Sequence, residues 1–97
     1  MAKLEPIHPG DTIKEDILQP LGMSVNQLAK ALSVDATRLN DIVRGRRGVT
    51  PDTALRLARY MGGTAEFWLG LQLEYDLRRA RNENLKRIEK EVSPKVA

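Results

Sequence analysis

The sequence predicts an all-α fold of five helices. Three observations point that way: a capping residue or proline stands at the head of each periodic segment, apolar residues recur at spacings of three and four, and no segment alternates as a strand would. The first helix begins between Pro9 and Asp11 and carries Ile13, Ile17 and Leu18 inward. It is expected to stop before Pro20, whose ring disfavours helix at Gln19, and Gly22 then makes the turn. Ser24 and Gln27 form a capping box for a short second helix with Val25, Leu28, Ala29 and Leu32 on one face. Asp35 caps the third, in which Leu39, Ile42 and Val43 make the buried stripe and Gly45 the stop. Thr50 and Pro51 open the fourth, with Ala54, Leu55, Leu57, Ala58 and Met61 inward and Gly62-Gly63 at its end.

Thr64 caps the last and longest helix, "AEFWLGLQLEYDLRRARNENLKRIEKEV". Trp68, Leu71 and Tyr75 lie on one line of it, and Leu69, Leu73 and Leu77 on another roughly 100° away. Two apolar sides on one helix need two coverings, and so small a chain has core for one. The second is expected to be a dimer interface anchored by Trp68 and Tyr75 with Leu69, Leu71 and Gln72; the alternative is that both stripes pack internally. From Arg78 onward charges crowd in and only Leu85, Ile88 and Val92 remain apolar at helical spacing, with a mobile "SPKVA" end expected.

At 97 residues the chain makes one small domain whose burial a second subunit often completes. We divide it into a main helical domain over 1–80, with its central helix pair at 24–44, and a charged helical extension and tail over 81–97. Hydrophobic content of 41% and charged content of 30% fit a globular protein, and no run of about 18 apolar residues suggests a membrane span. The first ten residues, "MAKLEPIHPG", lack the apolar core of a signal peptide, and there is no cysteine; both lead us to expect a cytoplasmic protein. Charge is uneven: residues 1–22 carry −2, 23–50 carry +3, 51–70 are neutral and 71–97 carry +2. A basic centre points toward nucleic acid.

That centre has an organised face. Only "SVD" separates the second and third helices, so they pack steeply with Val34 plugging the turn, as in helix-turn-helix units. With Leu39, Ile42 and Val43 inward, the third helix presents Thr37, Asn40, Asp41 and Arg44 outward, with Arg38 beside them. Asn and Arg are the types that make bidentate contacts to adenine and guanine in the major groove. Arg44, Arg46 and Arg47 surround Gly45 and Gly48, where the chain can turn along a phosphate strand and hold position rather than read sequence. Asp41 would accept a hydrogen bond from cytosine N4 or pair with Arg38 or Arg44. The amino end of the second helix, with Ser24, Asn26 and Gln27, offers free amides to another phosphate.

"LAKALSVDATRLNDIVRGRRGVTPDTALRLARYMG" resembles the five-helix, lambda-repressor-like (Cro-like) DNA-binding domain. Its flanks, "HPGDTIKEDILQPLGMS" and "GTAEFWLGLQLEYDL", resemble the HigA-type (VapI-like) antitoxins of type II toxin–antitoxin systems, over about Ile7 to Arg79. The resemblance implies a homodimer that binds double-stranded DNA at a palindromic operator, represses its own operon and neutralises a cognate mRNA endonuclease, a small basic ribonuclease toxin. By position it implies that Ala36, Thr37, Arg38 and Asp41 face the groove, with Asn40 at the edge and the Ala36 methyl against a thymine methyl. It further implies phosphate contacts from Ser24, the Asp35 backbone amide, Arg44, Arg46 and Arg47. Arg44 stands where the wider repressor family often has asparagine, a departure at a contact position.

Other chemistries lack their parts. His8 is the only histidine and starts the first helix, Glu15 and Asp16 diverge, and neither glycine pair sits in a phosphate-binding loop motif, so no enzyme activity, metal or cofactor is expected. The alternatives to an antitoxin are a stand-alone repressor and a protein-interaction module whose basic face binds an acidic partner. For a toxin, the acidic first helix (Asp11, Glu15, Asp16) and the tail from Arg78 are both candidate surfaces.

Overall fold

The structure, a computed structural model, describes residues 5–96; the start and end of the "MAKLEPIHPG" and "SPKVA" readings, residues 1–4 and Ala97, lie outside them. Five helical rods follow in order with no strand among the described residues. The first rod is three contiguous pieces, α1 (Pro9–Ile13), a π-helical turn (Lys14–Leu18) and α2 (Gln19–Leu21); then come α3 (Val25–Leu32), α4 (Ala36–Val43), α5 (Pro51–Met61) and α6 (Ala65–Glu91).

The first rod corrects one expectation, because it runs through Pro20 instead of stopping before it. Over Lys14–Leu18 the turn is widened, and the Gln19 N–H donates to the Lys14 carbonyl five residues back. A widened turn takes in the proline ring and its missing amide without breaking the rod. Gly22, at φ 61°, then ends it, with Met23 N–H donating to Leu18 O at 2.9 Å.

All five rods contribute to one core. Ile13, Ile17, Leu28, Leu39, Ile42, Ala54 and Leu57 are essentially sealed, and Val34 and Val43 pack against them. α3 and α4 meet through Ser33, which adopts the left-handed conformation (φ 56°) with Val34 N–H donating to Ala29 O at 3.0 Å. Arg56 reaches over from α5 and donates to the Leu32 and Ser33 carbonyls at 3.0 and 3.2 Å, satisfying the open end of α3. On α5 the buried arc is Thr53, Ala54 and Leu57; Leu55, read from sequence as inward, is 64% exposed, and Met61 is exposed at the helix end. Leu55 sits about 100° round the helix from Ala54, on the wall of an open groove it shares with Ala31 and Leu32 of α3.

The 27-residue α6, about 40 Å long, packs its first turns on the core through Ala65, Trp68, Leu69 and Leu71 and then runs past the body. Trp68 is only 5% exposed in the single chain. It belongs to the core and has almost no surface left to give a dimer partner, so the expected Trp68 anchor is corrected. No helix of the described residues is long and apolar enough to cross a membrane.

Candidate nucleic-acid interface

α3 begins with the capping box read from the sequence. Ser24 Oγ accepts from Gln27 N–H at 3.1 Å, and Gln27 Oε1 accepts from Ser24 N–H at 2.8 Å. Two of the four amides of that helix end are thereby used, and those of Val25 and Asn26 remain for a phosphate. Asp35 caps α4 through Oδ1, which accepts from Thr37 N–H at 3.0 Å. Thr37 is exposed at the head of α4, with Asn40 and Asp41 half-buried one turn along. Ala36 is half-buried against the core, which takes up part of the methyl the resemblance assigns to the groove.

Arg38 does not project freely. Its Nη2 donates to the Thr50 hydroxyl at 2.9 Å and the Thr53 hydroxyl at 2.6 Å, tying the first turn of α4 to the start of α5. Asp41 pairs with neither Arg38 nor Arg44; its ion-pair partner is Arg47, at 3.9 Å. α4 ends at Arg44 and Gly45 (φ 77°), where Gly45 N–H donates to Ile42 O and Arg46 N–H to Asp41 O, so the chain reverses and presents Arg44, Arg46 and Arg47 on exposed positions. Arg44 and Arg46 form no ion pair among the described residues.

The arginine loop is held from behind by two residues. Gln72, read from sequence as part of a dimer interface, accepts from Val49 N–H through Oε1 at 2.8 Å and donates to Asp76 at 3.0 Å. Its amide also abuts Gly48, where an added Cβ would lie 3.0 Å from it. The Gln72 side chain is therefore an internal latch. His8 caps α1, its Nδ1 accepting from Gly10 N–H at 2.9 Å, and its ring meets Tyr75 edge-on at 4.7 Å between centroids. Burial lowers the His8 pKa below 6.5, against the opposing pull of Asp11, Asp76 and the Arg47 backbone. Tyr75 thus supports His8, and Arg79 lies over its ring at 5.6 Å.

A short helix with a polar outer face, a basic loop after it and an open helix end before it make the frame of a DNA-reading unit. Residues 13–68 match the helix-turn-helix family model. Virulence-associated protein I of Dichelobacter nodosus is 51% identical over 81 residues, spanning 84% of this chain and 75% of that protein. An addiction module antidote protein of the HigA family from Coxiella burnetii has a TM-score of 0.90 at 48% identity, covering 95% of this chain and 100% of its own. The chain belongs to the HigA family of helix-turn-helix antitoxins. Pseudomonas aeruginosa antitoxin HigA, solved with the higBA promoter, matches at a TM-score of 0.90 and 45% identity over 94% of this chain and 99% of its own.

In this HigA-family chain, sequence reasoning found the α3–α4 unit and missed the residues that brace it. Thr53 is fully buried and His8 nearly so. The signal for Thr53 was the "TPDT" spacing, in which Thr50 and Thr53 share one helix start. For His8 the signal was its place at the head of the first helix, which the structure bears out as a cap without showing its contact with the loop in advance; for Gln72 it was only a polar side chain among apolar neighbours.

Proposed function

We propose that this protein is a homodimeric antitoxin that binds its own operator through α4 and represses transcription, and that it neutralises a cognate mRNA-endonuclease toxin. What carries the DNA-binding part is the exposed polar head of α4 followed by a loop with three exposed arginines, in a chain nearly half identical to a HigA solved with its promoter. Thr37 and Asn40 read base edges, while Arg44, Arg46, Arg47 and the amino end of α3 at Ser24 and Gln27 hold the phosphates. Asp35 caps the helix, and Asp41 orients Arg47. Arg38 braces α4 and keeps its remaining N–H groups for the duplex. The Leu73 and Leu77 line of α6, 60% and 40% exposed, is the face a second copy covers. Dimerisation sets two copies of α4 about 34 Å apart on a palindrome. The DNA-binding unit occupies 1–80, 81–97 forms an extension, and the protein works in the cytoplasm.

A mobility-shift titration against DNA from upstream of its own gene, with a scrambled duplex and two salt concentrations, tests this. Selective binding that survives the higher salt is the expected result. Equal and salt-sensitive binding to both duplexes would reduce the arginines to non-specific charge and sink the operator reading.

A further inference from the structure

His8 stands where three parts of the molecule converge. Its backbone is the cap position of α1, its Nδ1 accepts the Gly10 N–H at 2.9 Å, and Gly10 itself is pressed against the backbone of α4. Its ring packs against Tyr75 of α6. On another side it abuts Gly45, where an added Cβ would lie 3.8 Å from His8 Cγ, and it interacts with the backbone of Arg47. Gly45 and Arg47 belong to the arginine loop, and His8 is only 7% exposed, so it is the buried wall on which that loop rests.

We infer that His8 is a positioning residue for DNA binding: its imidazole holds the Gly45–Arg47 backbone so that Arg44, Arg46 and Arg47 meet the phosphate strand together. This rests on the DNA-binding reading above. The capping duty alone does not require a ring, since asparagine caps a helix as well with a shorter side chain. The ring adds a flat surface that fills the space between Tyr75 and the loop, which asparagine leaves open. A loop freed from that wall keeps its charges but places them singly. Fewer counterions are then released at once, and the dependence of affinity on salt becomes shallower.

The test is His8→Asn, which keeps an acceptor at the cap and removes the ring. Operator affinity is measured by fluorescence anisotropy across a salt series, at a temperature where circular dichroism shows both proteins folded. Affinity is expected to fall about tenfold and the salt slope to flatten by roughly one unit for each phosphate the loop no longer neutralises. A variant matching wild type in affinity and slope overturns the proposal. Wild-type protein that fails to bind the operator overturns the DNA-binding reading itself, which separates the two failures. A second measurement uses the unaltered chain, whose single histidine gives one imidazole nitrogen pattern: its resonances are expected to move as operator DNA is added, and a ring indifferent to DNA overturns the assignment even if His8→Asn does not fold.

Discussion

Gly10→Ala is the sharpest perturbation of the fold, because nothing around Gly10 can move cheaply. A methyl there would lie 2.0 Å from the Ile42 carbonyl oxygen and 2.9 Å from both the Cα and the oxygen of Val43. Ordinary carbon–oxygen contacts begin near ~3.3 Å, so α1 and α4 must separate by roughly 1.3 Å. The neighbours are helix backbone, and no rotamer change absorbs the strain. Overpacking costs typically about 1–3 kcal/mol, and a clash with backbone on the far side belongs at the upper end. The helix preference for alanine returns about 0.5–1 kcal/mol, leaving a net loss of about 2 kcal/mol. For a chain of this size that lowers the melting temperature by on the order of 10 °C. Thermal unfolding followed by far-ultraviolet circular dichroism measures it. A Gly10→Ala melting temperature within about 3 °C of wild type would refute the close-approach argument, because even ~1 kcal/mol shifts it further than that.

Gln72→Ala leaves the Val49 N–H without its acceptor and should cost about 1–2 kcal/mol in urea unfolding; an unchanged midpoint with a dissociated dimer would instead return Gln72 to the interface. Leu77→Glu puts a charge on the exposed line of α6 and is expected to halve the mass seen in equilibrium sedimentation, whereas an unchanged mass would move the interface elsewhere. Arg46→Ala should weaken every duplex alike and flatten the salt slope by about one unit, while Thr37→Ala should relax preference at one base position with the slope unchanged. Acid should destabilise the protein. Burial holds the His8 pKa below its unfolded 6.5, so the folded state binds fewer protons than the unfolded one between those values. The stability this gives is fully present above about pH 6.5 and is lost as pH falls toward the lowered pKa, where a protonated Nδ1 no longer accepts from Gly10. Urea midpoints at pH 7.5 and pH 5 check the sign, and His8→Asn should shrink the difference between them.

Local chemistry was legible in the sequence, and contacts between distant residues were not. The capping box at Ser24 and Gln27, the Asp35 cap and the Gly45 stop each lie within four residues of their partners, which is why the α3–α4 unit could be read directly. The same locality misled at Pro20, where a widened turn overrides the usual preference before proline. Trp68 was misplaced because α6 is apolar on two sides and periodicity alone does not say which side meets its own core. Gln72 and Arg38 bond to partners 23 and 15 residues away, and their polar character suited an interface or a base edge equally well. In the candidate site, the residues facing outward came from helix phase, whereas the braces behind them depend on how α1, α5 and α6 fold back.

The reach of α6 beyond the body has a hydrodynamic consequence. The chain measures 52 × 29 × 21 Å with a radius of gyration of 16.5 Å, against roughly 12.5 Å for a compact particle of this length. Such a particle drags more solvent than a sphere of equal mass and tumbles more slowly end over end than about its long axis. On a gel-filtration column calibrated with round standards, a single copy will therefore elute as something heavier, imitating association. Sedimentation equilibrium and static light scattering weigh the particle without regard to its outline, and they are the methods that distinguish a long monomer from a pair.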